Sequence, residues 1–277
     1  MDPVALLNED RVALVEPDAP ADSMAPAPAG KPAERKTLLA TERLTCRFGG
    51  LVAVDDVSFS LKEGEIRAVI GPNGAGKTTF VSLLCGRVAP TSGTVHFRGM
   101  DVTRLPAHRK VQAGIAYTAQ ITNVFAKLTA YDNVMLAAES RTRDGAGRRR
   151  TTANARERAR RALHAVGLEE RMHETADRLA YGHQRLLEVA MGLALEPALL
   201  ILDEPTQGLS DPEIDDFCKL IRVISASTTI LLIEHNMRVV MELADRITVL
   251  NRGQILAEGT SEEIRDNRDV QIAYLGT

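Results

Sequence analysis

The stretch from Gly71 to Thr78 has the residue types and the spacing that bind phosphate groups. It reads Gly-Pro-Asn-Gly-Ala-Gly-Lys-Thr and fits the pattern G-x-x-x-x-G-K-[ST]. Glycines let backbone N–H groups turn toward a phosphate, and a following helix N-terminus adds partial positive charge. Lys77 can reach the β- and γ-phosphates of ATP, and the Thr78 hydroxyl can ligate Mg²⁺. The predicted nucleotide-binding residues of this loop are Gly71, Pro72, Asn73, Gly74, Ala75, Gly76, Lys77, Thr78 and Thr79.

Two consecutive carboxylates, Asp203 and Glu204, follow the apolar run Leu199-Leu-Ile-Leu. An acidic residue at the carboxyl end of a parallel strand lies beside the phosphate loop in folds of this kind. Asp203 is therefore predicted to hold Mg²⁺, usually through water. Glu204 is predicted to polarise the water that attacks the γ-phosphate.

The elements that must position these residues alternate between strands and helices. Glu65–Ile70 is predicted to be a strand that leads into the phosphate loop, and Thr78–Arg87 a helix that follows it. Ala198–Leu202 and Thr229–Ile233 are continuous apolar runs, typical of parallel strands covered on both faces. Between these two runs, Asp211 and Pro212 are predicted to be the N-cap and the first residue of a helix.

The remaining patterns complete a mixed α/β chain. Leu51–Leu61 alternates and predicts a strand, as does Thr94–Arg98. Ile247–Leu250 and Gln254–Ala257 predict a hairpin, and Ser261–Leu275 predicts one or two short helices.

The composition restricts the class of protein. The chain has 277 residues, a net charge of −3 and 44% hydrophobic residues, which suffices for one sizeable core. The charge gives no electrostatic reason to expect nucleic acid as a partner. Three separated cysteines argue against a disulfide framework and favour a reducing compartment. No run approaches the ~20 apolar residues that span a bilayer. We therefore expect a cytoplasmic protein whose membrane spans, if any are needed, belong to another chain.

The chain divides into a tail and one domain. Residues 1–36 are predicted to be a disordered tail, because this stretch is rich in Pro and Ala and has few large apolar side chains. Residues 37–277 are predicted to form the ATPase domain, with a largely helical subdomain at about 120–195.

The stretch Leu179-Ala-Tyr-Gly-His-Gln184, about twenty residues before Asp203, resembles the signature motif of the ABC (ATP-binding cassette) ATPases. The resemblance covers nearly everything from Leu38 onward. In that family the signature, usually Leu-Ser-Gly-Gly-Gln, contacts the γ-phosphate of ATP held by the opposing subunit. Here Ala180 replaces the serine, so the hydroxyl contact to the γ-phosphate is absent. Backbone N–H groups must therefore supply more of the binding to that phosphate. The residues that the resemblance assigns to this contact are Ala180, Tyr181, Gly182, His183 and Gln184. The following stretch, Arg185–Leu195, is predicted to be a helix.

Four further residues match positions that have known roles in the family. Gln120 resembles the glutamine that senses Mg²⁺ and the attacking water and couples to the membrane partner. His235 resembles the switch histidine that contacts the γ-phosphate and helps orient the water. Asp211 closes the stretch Gly208-Leu-Ser-Asp, which resembles the D-loop at the dimer interface. Phe48 lies 29 residues before Lys77, where the family places an aromatic residue that stacks on adenine; the alternative for Phe48 is a core position.

The resemblance implies a fold, partners and a location. The fold is an α/β P-loop NTPase cassette with a RecA-like core, an antiparallel β subdomain and a helical signature subdomain. The partners are a second ATPase subunit, identical or related, two transmembrane permease subunits and, indirectly, a periplasmic or lipid-anchored solute-binding protein. The location is the cytoplasmic face of the inner membrane, as a peripheral subunit.

Within the family, the chain most resembles the ATPase subunits of branched-chain amino acid importers. The residues that carry this likeness are Arg47–Leu51, Leu179–Arg185, Leu231–Met237 and Tyr274–Gly276. Urea and short-chain amide importers have similar subunits, and a lipid or lipopolysaccharide exporter would have a similar cassette, so both stay open as alternatives.

Two classes outside transport are disfavoured. A DNA-repair or translation ABC protein needs a long coiled coil or two cassettes, and the chain has one phosphate loop and little space before the signature. A plain P-loop switch or kinase would not carry the paired carboxylates, the signature and His235 together.

Overall fold

The structure of the chain, a computed structural model, describes residues 35–119, 123–140 and 151–275. The predicted tail, 1–36, lies outside these residues except for Arg35 and Lys36, and so does Gln120. The strands are β1 (Thr37–Phe48), β2 (Leu51–Lys62), β3 (Ile66–Ile70), β4 (Ser92–Phe97), β5 (Met100–Asp101), β6 (Ile115–Thr118), β7 (Leu199–Asp203), β8 (Thr229–Ile233), β9 (Arg246–Asn251) and β10 (Gln254–Gly259). The helices are α1 (Lys77–Leu84), α2 (Ala107–Ala113), α3 (Ala130–Ser140), α4 (Thr152–Ala165), α5 (Tyr181–Ala194), α6 (Asp211–Ser225), α7 (Met237–Leu243), α8 (Ser261–Asp266) and α9 (Arg268–Leu275).

The strands form two sheets. A six-stranded sheet has the order β10-β9-β3-β8-β7-β6, in which every pair is parallel except β9 with β10. A four-stranded antiparallel sheet has the order β2-β1-β4-β5. The predicted α/β class, with a parallel core, a separate antiparallel sheet and a helical part, is confirmed.

The large sheet is buried on both faces. Every residue of β3, β7 and β8 is buried, which explains why their sequences are continuous apolar runs. Because side chains alternate along a strand, Leu200 and Leu202 join one apolar core with helices α3 to α6, while Leu199 and Ile201 join another with the antiparallel sheet. The ends of these strands are therefore fixed by packing on two sides.

Three predicted helix starts differ from the structure. Helix α1 begins at Lys77, one residue before the predicted Thr78. The N-cap of α6 is Ser210, not Asp211: the backbone N–H and the hydroxyl of Ser210 both donate to the Glu213 carboxylate, at 2.8 and 2.7 Å. Asp211 is thus the first helical residue and Pro212 the second. Helix α5 begins at Tyr181, four residues before the predicted start at Arg185, so the signature forms its first turn.

Candidate active site

The phosphate loop joins β3 to α1, and its backbone path requires glycine at both ends. Gly71 has φ +152°, and a Cβ there would lie 2.1 Å from the carbonyl oxygen of Leu250. Gly76 has φ +100°, and a Cβ there would lie 2.3 Å from the carbonyl oxygen of Ala53. Gly76 is also the N-cap of α1 and has no side chain to cap it. The first N–H groups of α1 are consequently available to an anion.

Lys77 lies across this loop. Its Nζ donates to the carbonyl oxygens of Gly71 at 2.7 Å and Pro72 at 3.2 Å. Partial burial lowers the pKa of Lys77, and the nearby carboxylates of Glu204 and Asp203 oppose that shift. The ammonium group is thus held close to both acidic residues at the end of β7.

Asp203 is the buried last residue of β7 and is held from the neighbouring strand β6. The Tyr117 hydroxyl donates to Asp203 Oδ2 at 2.9 Å. Burial raises the pKa of Asp203 most strongly and Glu204 adds to this, whereas the Tyr117 bond, Lys77 and Arg87 lower it. Sequence reasoning missed Tyr117, because no local pattern links it to a carboxylate 86 positions away in the chain.

Glu204 turns away from the strand direction. It has φ +48°, a left-handed conformation that is uncommon for a residue with a side chain. Its N–H donates to the carbonyl oxygen of Ile233 at 2.8 Å, which ties it to the end of β8. Its Oε2 lies 3.8 Å from Nδ1 of His235, whose side chain is 58% exposed. The two residues thus face each other at adjacent strand ends.

Lys77, Asp203, Glu204 and His235 therefore meet at the carboxyl edge of the parallel sheet. Thr78 is exposed in the first turn of α1, beside Lys77. This edge is where ligands bind in open α/β sheets. A cation, two carboxylates, a hydroxyl and an imidazole around a helix N-terminus can bind a phosphate chain and a divalent metal, and can polarise a water.

Phe48 is the last residue of β1, at the edge of the antiparallel sheet. Its side chain is 50% exposed, which excludes the alternative of a core position. An exposed aromatic face remains available for stacking on a base.

The signature residues begin α5 and pack against the loop before α6. Ala180 is the exposed N-cap of α5, and Gly182 is buried, with its Cβ position 2.3 Å from Oε1 of Glu213. The Tyr181 ring lies against Gly208, whose own Cβ position is 2.9 Å from it. A larger residue at position 208 would collide with this ring, so Tyr181 and Gly208 are matched.

The polar side chains of the signature are partly engaged within the fold. The Gln184 amide nitrogen donates to the carbonyl oxygens of Ala176 at 3.0 Å and Leu179 at 3.1 Å. His183 has a buried Nδ1 with no hydrogen-bond partner among residues 35–119, 123–140 and 151–275. The Asp211 side chain is 88% exposed and lies 3.8 Å from Arg238.

Comparisons with known proteins place this geometry in a family. Residues 54–207 match the family model for ABC transporters, and residues 254–277 match the model for branched-chain amino acid ATP-binding cassette transporters. The high-affinity branched-chain amino acid transport ATP-binding protein LivG of Salmonella typhimurium is 43% identical over 249 residues, which cover 86% of this chain and 98% of LivG.

Two further relatives are more distant. The lipopolysaccharide export system ATP-binding protein LptB of Haemophilus influenzae is 31% identical, over 87% of this chain and 98% of LptB. The solved structure of the ADP conformation of MJ1267, an ATP-binding cassette of an ABC transporter, superposes with a TM-score of 0.79 at 25% identity and covers 87% of this chain and all of that one. With its phosphate loop, paired carboxylates and two matching family models, the chain belongs to the ABC transporter family, in the group of branched-chain amino acid transport ATP-binding proteins.

Proposed function

We propose that the chain is the ATP-binding and ATP-hydrolysing subunit of an ABC importer that powers uptake of branched-chain or other hydrophobic amino acids. The observation that carries this proposal is the meeting of Lys77, Asp203, Glu204 and His235 at one edge of the parallel sheet, behind a phosphate loop whose end glycines are sterically required. The matches to two transporter family models support a transport setting for that chemistry.

The phosphate chain is bound by the N–H groups of Gly71–Thr79 and by Lys77. To bind a nucleotide, the Lys77 ammonium exchanges its two loop carbonyl oxygens for β- and γ-phosphate oxygens, which are stronger, charged acceptors. Partial burial strengthens that attraction because fewer waters screen it. The proposed contribution of Phe48 is to stack its exposed ring on adenine.

The donor set also fits Mg²⁺. Thr78 offers a hydroxyl oxygen, and Asp203 offers Oδ1, while Tyr117 holds Oδ2. Hard oxygen ligands of this kind suit Mg²⁺, which keeps several waters and takes other ligands from phosphates. No cluster of three or more His, Cys, Asp or Glu side chains within the described ranges could hold a metal alone. When bound, the ion neutralises charge on the phosphates; the proposed further contact of Gln120 lies outside the described residues.

Hydrolysis is assigned to Glu204 and His235. Glu204 accepts a hydrogen bond from the attacking water, and His235 contacts the γ-phosphate and orients the same water. The 3.8 Å between His235 Nδ1 and Glu204 Oε2 places the two groups close enough to act on one water molecule. Their contribution is position and charge stabilisation rather than covalent chemistry.

A second subunit completes each site in this proposal. ATP is enclosed between Gly71–Thr79 of one subunit and Ala180–Gln184 of the other, with Asp211 and its loop at the interface. The first turn of α5 suits this role, because Ala180 brings no capping side chain and the helix N-terminus attracts a phosphate. The partner is a second copy of this chain or a related ATPase.

The membrane partners follow from the family. None of the helices in the described ranges is long and apolar enough to cross a bilayer. We assign residues 37–277 to the ATPase domain, with the helical part at about 120–195, docked on two transmembrane permease subunits at the cytoplasmic face of the inner membrane. A solute-binding protein acts on the complex indirectly.

Amino-acid import is favoured over urea or amide import and over lipid or lipopolysaccharide export. The C-terminal segment 254–277 matches the branched-chain amino acid model. The chain is 43% identical to LivG but only 31% identical to the lipopolysaccharide export protein. The test is ATPase activity of the intact complex with its solute-binding protein and candidate ligands. Stimulation by Leu, Ile or Val supports the proposal; stimulation only by urea or a short-chain amide, or by lipopolysaccharide without a binding protein, overturns it.

A further inference from the structure

A fully buried carboxylate lies directly before His235. Glu234 follows β8, and its side chain is 0% exposed. Its Oε2 accepts the backbone N–H groups of His235 at 3.0 Å and Asn236 at 3.1 Å. Its Oε1 accepts the backbone N–H of Thr206 at 3.1 Å and also the Thr206 hydroxyl. One carboxylate thus receives four hydrogen bonds from two different loops.

Those two loops carry the two groups assigned to hydrolysis. Thr206 comes two residues after Glu204, in a tight loop where the Gln207 N–H donates to the carbonyl oxygen of Glu204 at 3.2 Å. His235 comes directly after Glu234. The Glu234 side chain therefore joins the loop of Glu204 to the loop of His235, next to the backbone bond between Glu204 and Ile233.

The four hydrogen bonds to Glu234 do more than fill space in the core, because they satisfy a buried carboxylate. A buried ionised carboxylate is costly unless several hydrogen bonds stabilise it. The four donors to Glu234 are three backbone N–H groups and a hydroxyl, none of which carries a formal charge. Hydrogen bonds to a carboxylate are shorter and stronger than neutral ones, so they hold both loops with little freedom.

We propose that Glu234 is a positioning residue for ATP hydrolysis, which fixes the separation of Glu204 and His235 through these four bonds. The inference rests on the proposed function, because it requires Glu204 and His235 to act together on water. Glu234 itself touches no reacting atom. Its loss should consequently reduce kcat while the KM for ATP, set by the phosphate loop, stays nearly unchanged.

Two substitutions probe the link at different strengths. In Glu234→Gln, one oxygen becomes an NH₂ group, so in either amide orientation this donor faces at least one backbone N–H that cannot accept a hydrogen bond. We expect kcat to fall at least about tenfold, because a small misplacement of reacting groups is costly. Thr206→Val removes only the hydroxyl donor, and we expect a loss of about threefold to tenfold. Thr206→Ser keeps the hydroxyl and should restore the wild-type kcat.

The matched control is Thr229→Val. Thr229 is a buried threonine at the opposite end of β8, and its hydroxyl accepts the Gly64 N–H at 2.9 Å. This variant also loses a hydrogen bond to a buried hydroxyl on the same strand, so a general loss of stability would appear in it as well. We expect its kcat to equal that of the wild type.

The deciding experiment measures kcat and the KM for ATP of the full-length chain in its transporter complex. The variants compared are the four single substitutions above, His235→Ala and the double variant Glu234→Gln/His235→Ala. If Glu234 acts through His235, Glu234→Gln reduces kcat by a smaller factor in the His235→Ala background than in the wild type. Equal factors in both backgrounds, or wild-type kcat in Glu234→Gln and Thr206→Val, would overturn the inference. Should Glu234→Gln fail to fold, Thr206→Val against Thr206→Ser decides.

A Glu204→Gln complex separates this inference from the proposed function. If Glu204→Gln hydrolyses ATP at the wild-type rate, the proposed function of the site is wrong. If it is inactive while Glu234→Gln and Thr206→Val turn over normally, only the role of Glu234 is wrong.

Discussion

Nδ1 of His235 lies 3.8 Å from Oε2 of Glu204, and the two residues come from adjacent parallel strands whose ends are bonded through the Glu204 N–H and the Ile233 carbonyl oxygen. Helix α6 separates these strands in sequence, so only the sheet brings the two side chains together. The pair is the smallest unit of the site that could direct one water molecule at a phosphate.

His235→Ala should therefore reduce turnover more than nucleotide binding. We expect kcat to fall about a hundredfold, in the range lost with a positioned acid or base. The affinity for ATP should change little because Lys77 and the phosphate loop are intact. Steady-state kinetics and nucleotide titration check this, with His108→Ala, an exposed histidine on α2, as the control. An unaltered kcat in His235→Ala would contradict the assignment.

Tyr117→Phe should weaken Mg²⁺ binding without altering the fold. The Tyr117 hydroxyl donates to Asp203 and lowers the pKa of a carboxyl group that burial raises. Without this bond the pKa of Asp203 rises further, so the carboxylate form is lost at a higher pH as the solution is acidified. We expect the Mg²⁺ concentration for half-maximal ATPase to rise about tenfold, as for other residues that orient metal ligands.

The same variant should shift the acid limb of the pH–rate profile upward. Tyr131→Phe, which removes a tyrosine hydroxyl from α3, is the matched control and should show neither effect. A Tyr117→Phe profile that coincides with the wild type at every Mg²⁺ concentration would remove Asp203 from its proposed metal role.

Ala180→Ser should both stabilise the chain and increase its affinity for ATP. Ala180 is an exposed helix N-cap without a capping side chain, and serine at such a position is worth about 1 kcal/mol over alanine. The added hydroxyl can also donate to the γ-phosphate across the proposed dimer, which should lower the KM for ATP several-fold. Thermal unfolding and ATPase kinetics measure the two effects, with Ala165→Ser at the end of α4 as the control. An unchanged KM in Ala180→Ser would argue against contact between position 180 and the nucleotide.

Lys110 should make the stability of the chain depend on alkaline pH. Its side chain is fully buried, its Nζ donates to the Leu83 carbonyl oxygen at 2.9 Å, and burial lowers its pKa to about 8. Between pH 8 and the unfolded value of 10.5, the unfolded chain binds this proton and the native chain does not. The free energy of unfolding should thus rise with pH across that window, by roughly 3 kcal/mol in total from this group.

Lys110→Met should abolish that rise and be at least as stable as the wild type at pH 7. The Leu83 carbonyl oxygen is not left without a partner, because it still accepts a hydrogen bond from the Gly86 N–H at 3.2 Å. Urea unfolding from pH 7 to pH 10 measures the difference. Lys219→Met, at an exposed lysine on α6 that pairs with Asp216, is the control and should keep the wild-type slope. Parallel slopes for wild type and Lys110→Met would refute the explanation.

The sequence predicted the site best where chemistry is local. The phosphate loop and the runs that became β3, β7 and β8 are each contiguous in sequence, so their patterns alone indicated Lys77 and Asp203, whereas His235 was assigned by its resemblance to the family. The long strand β1 was not identified, because Arg43 has a left-handed φ and the pairing with β2 shifts around it. The error at the start of α6 was avoidable, since Ser210 and Glu213 have the spacing of a capping box.

Residues that act across the fold could not be found this way. Tyr117 and Glu234 bond to Asp203 and Thr206, and nothing in their own neighbourhoods indicates those partners. A lone tyrosine in a short strand and a lone glutamate after one are both usually structural. Only the tertiary arrangement shows which carboxylate each hydroxyl faces.

The most direct test of the central claim is ATP turnover by Glu204→Gln in the intact complex, measured with nucleotide affinity on the same preparation. Glutamine keeps the size of the side chain and removes the charge that polarises water. We expect ATP affinity within about twofold of the wild type and a kcat at least about a hundredfold lower. Hydrolysis at the wild-type rate would contradict the claim.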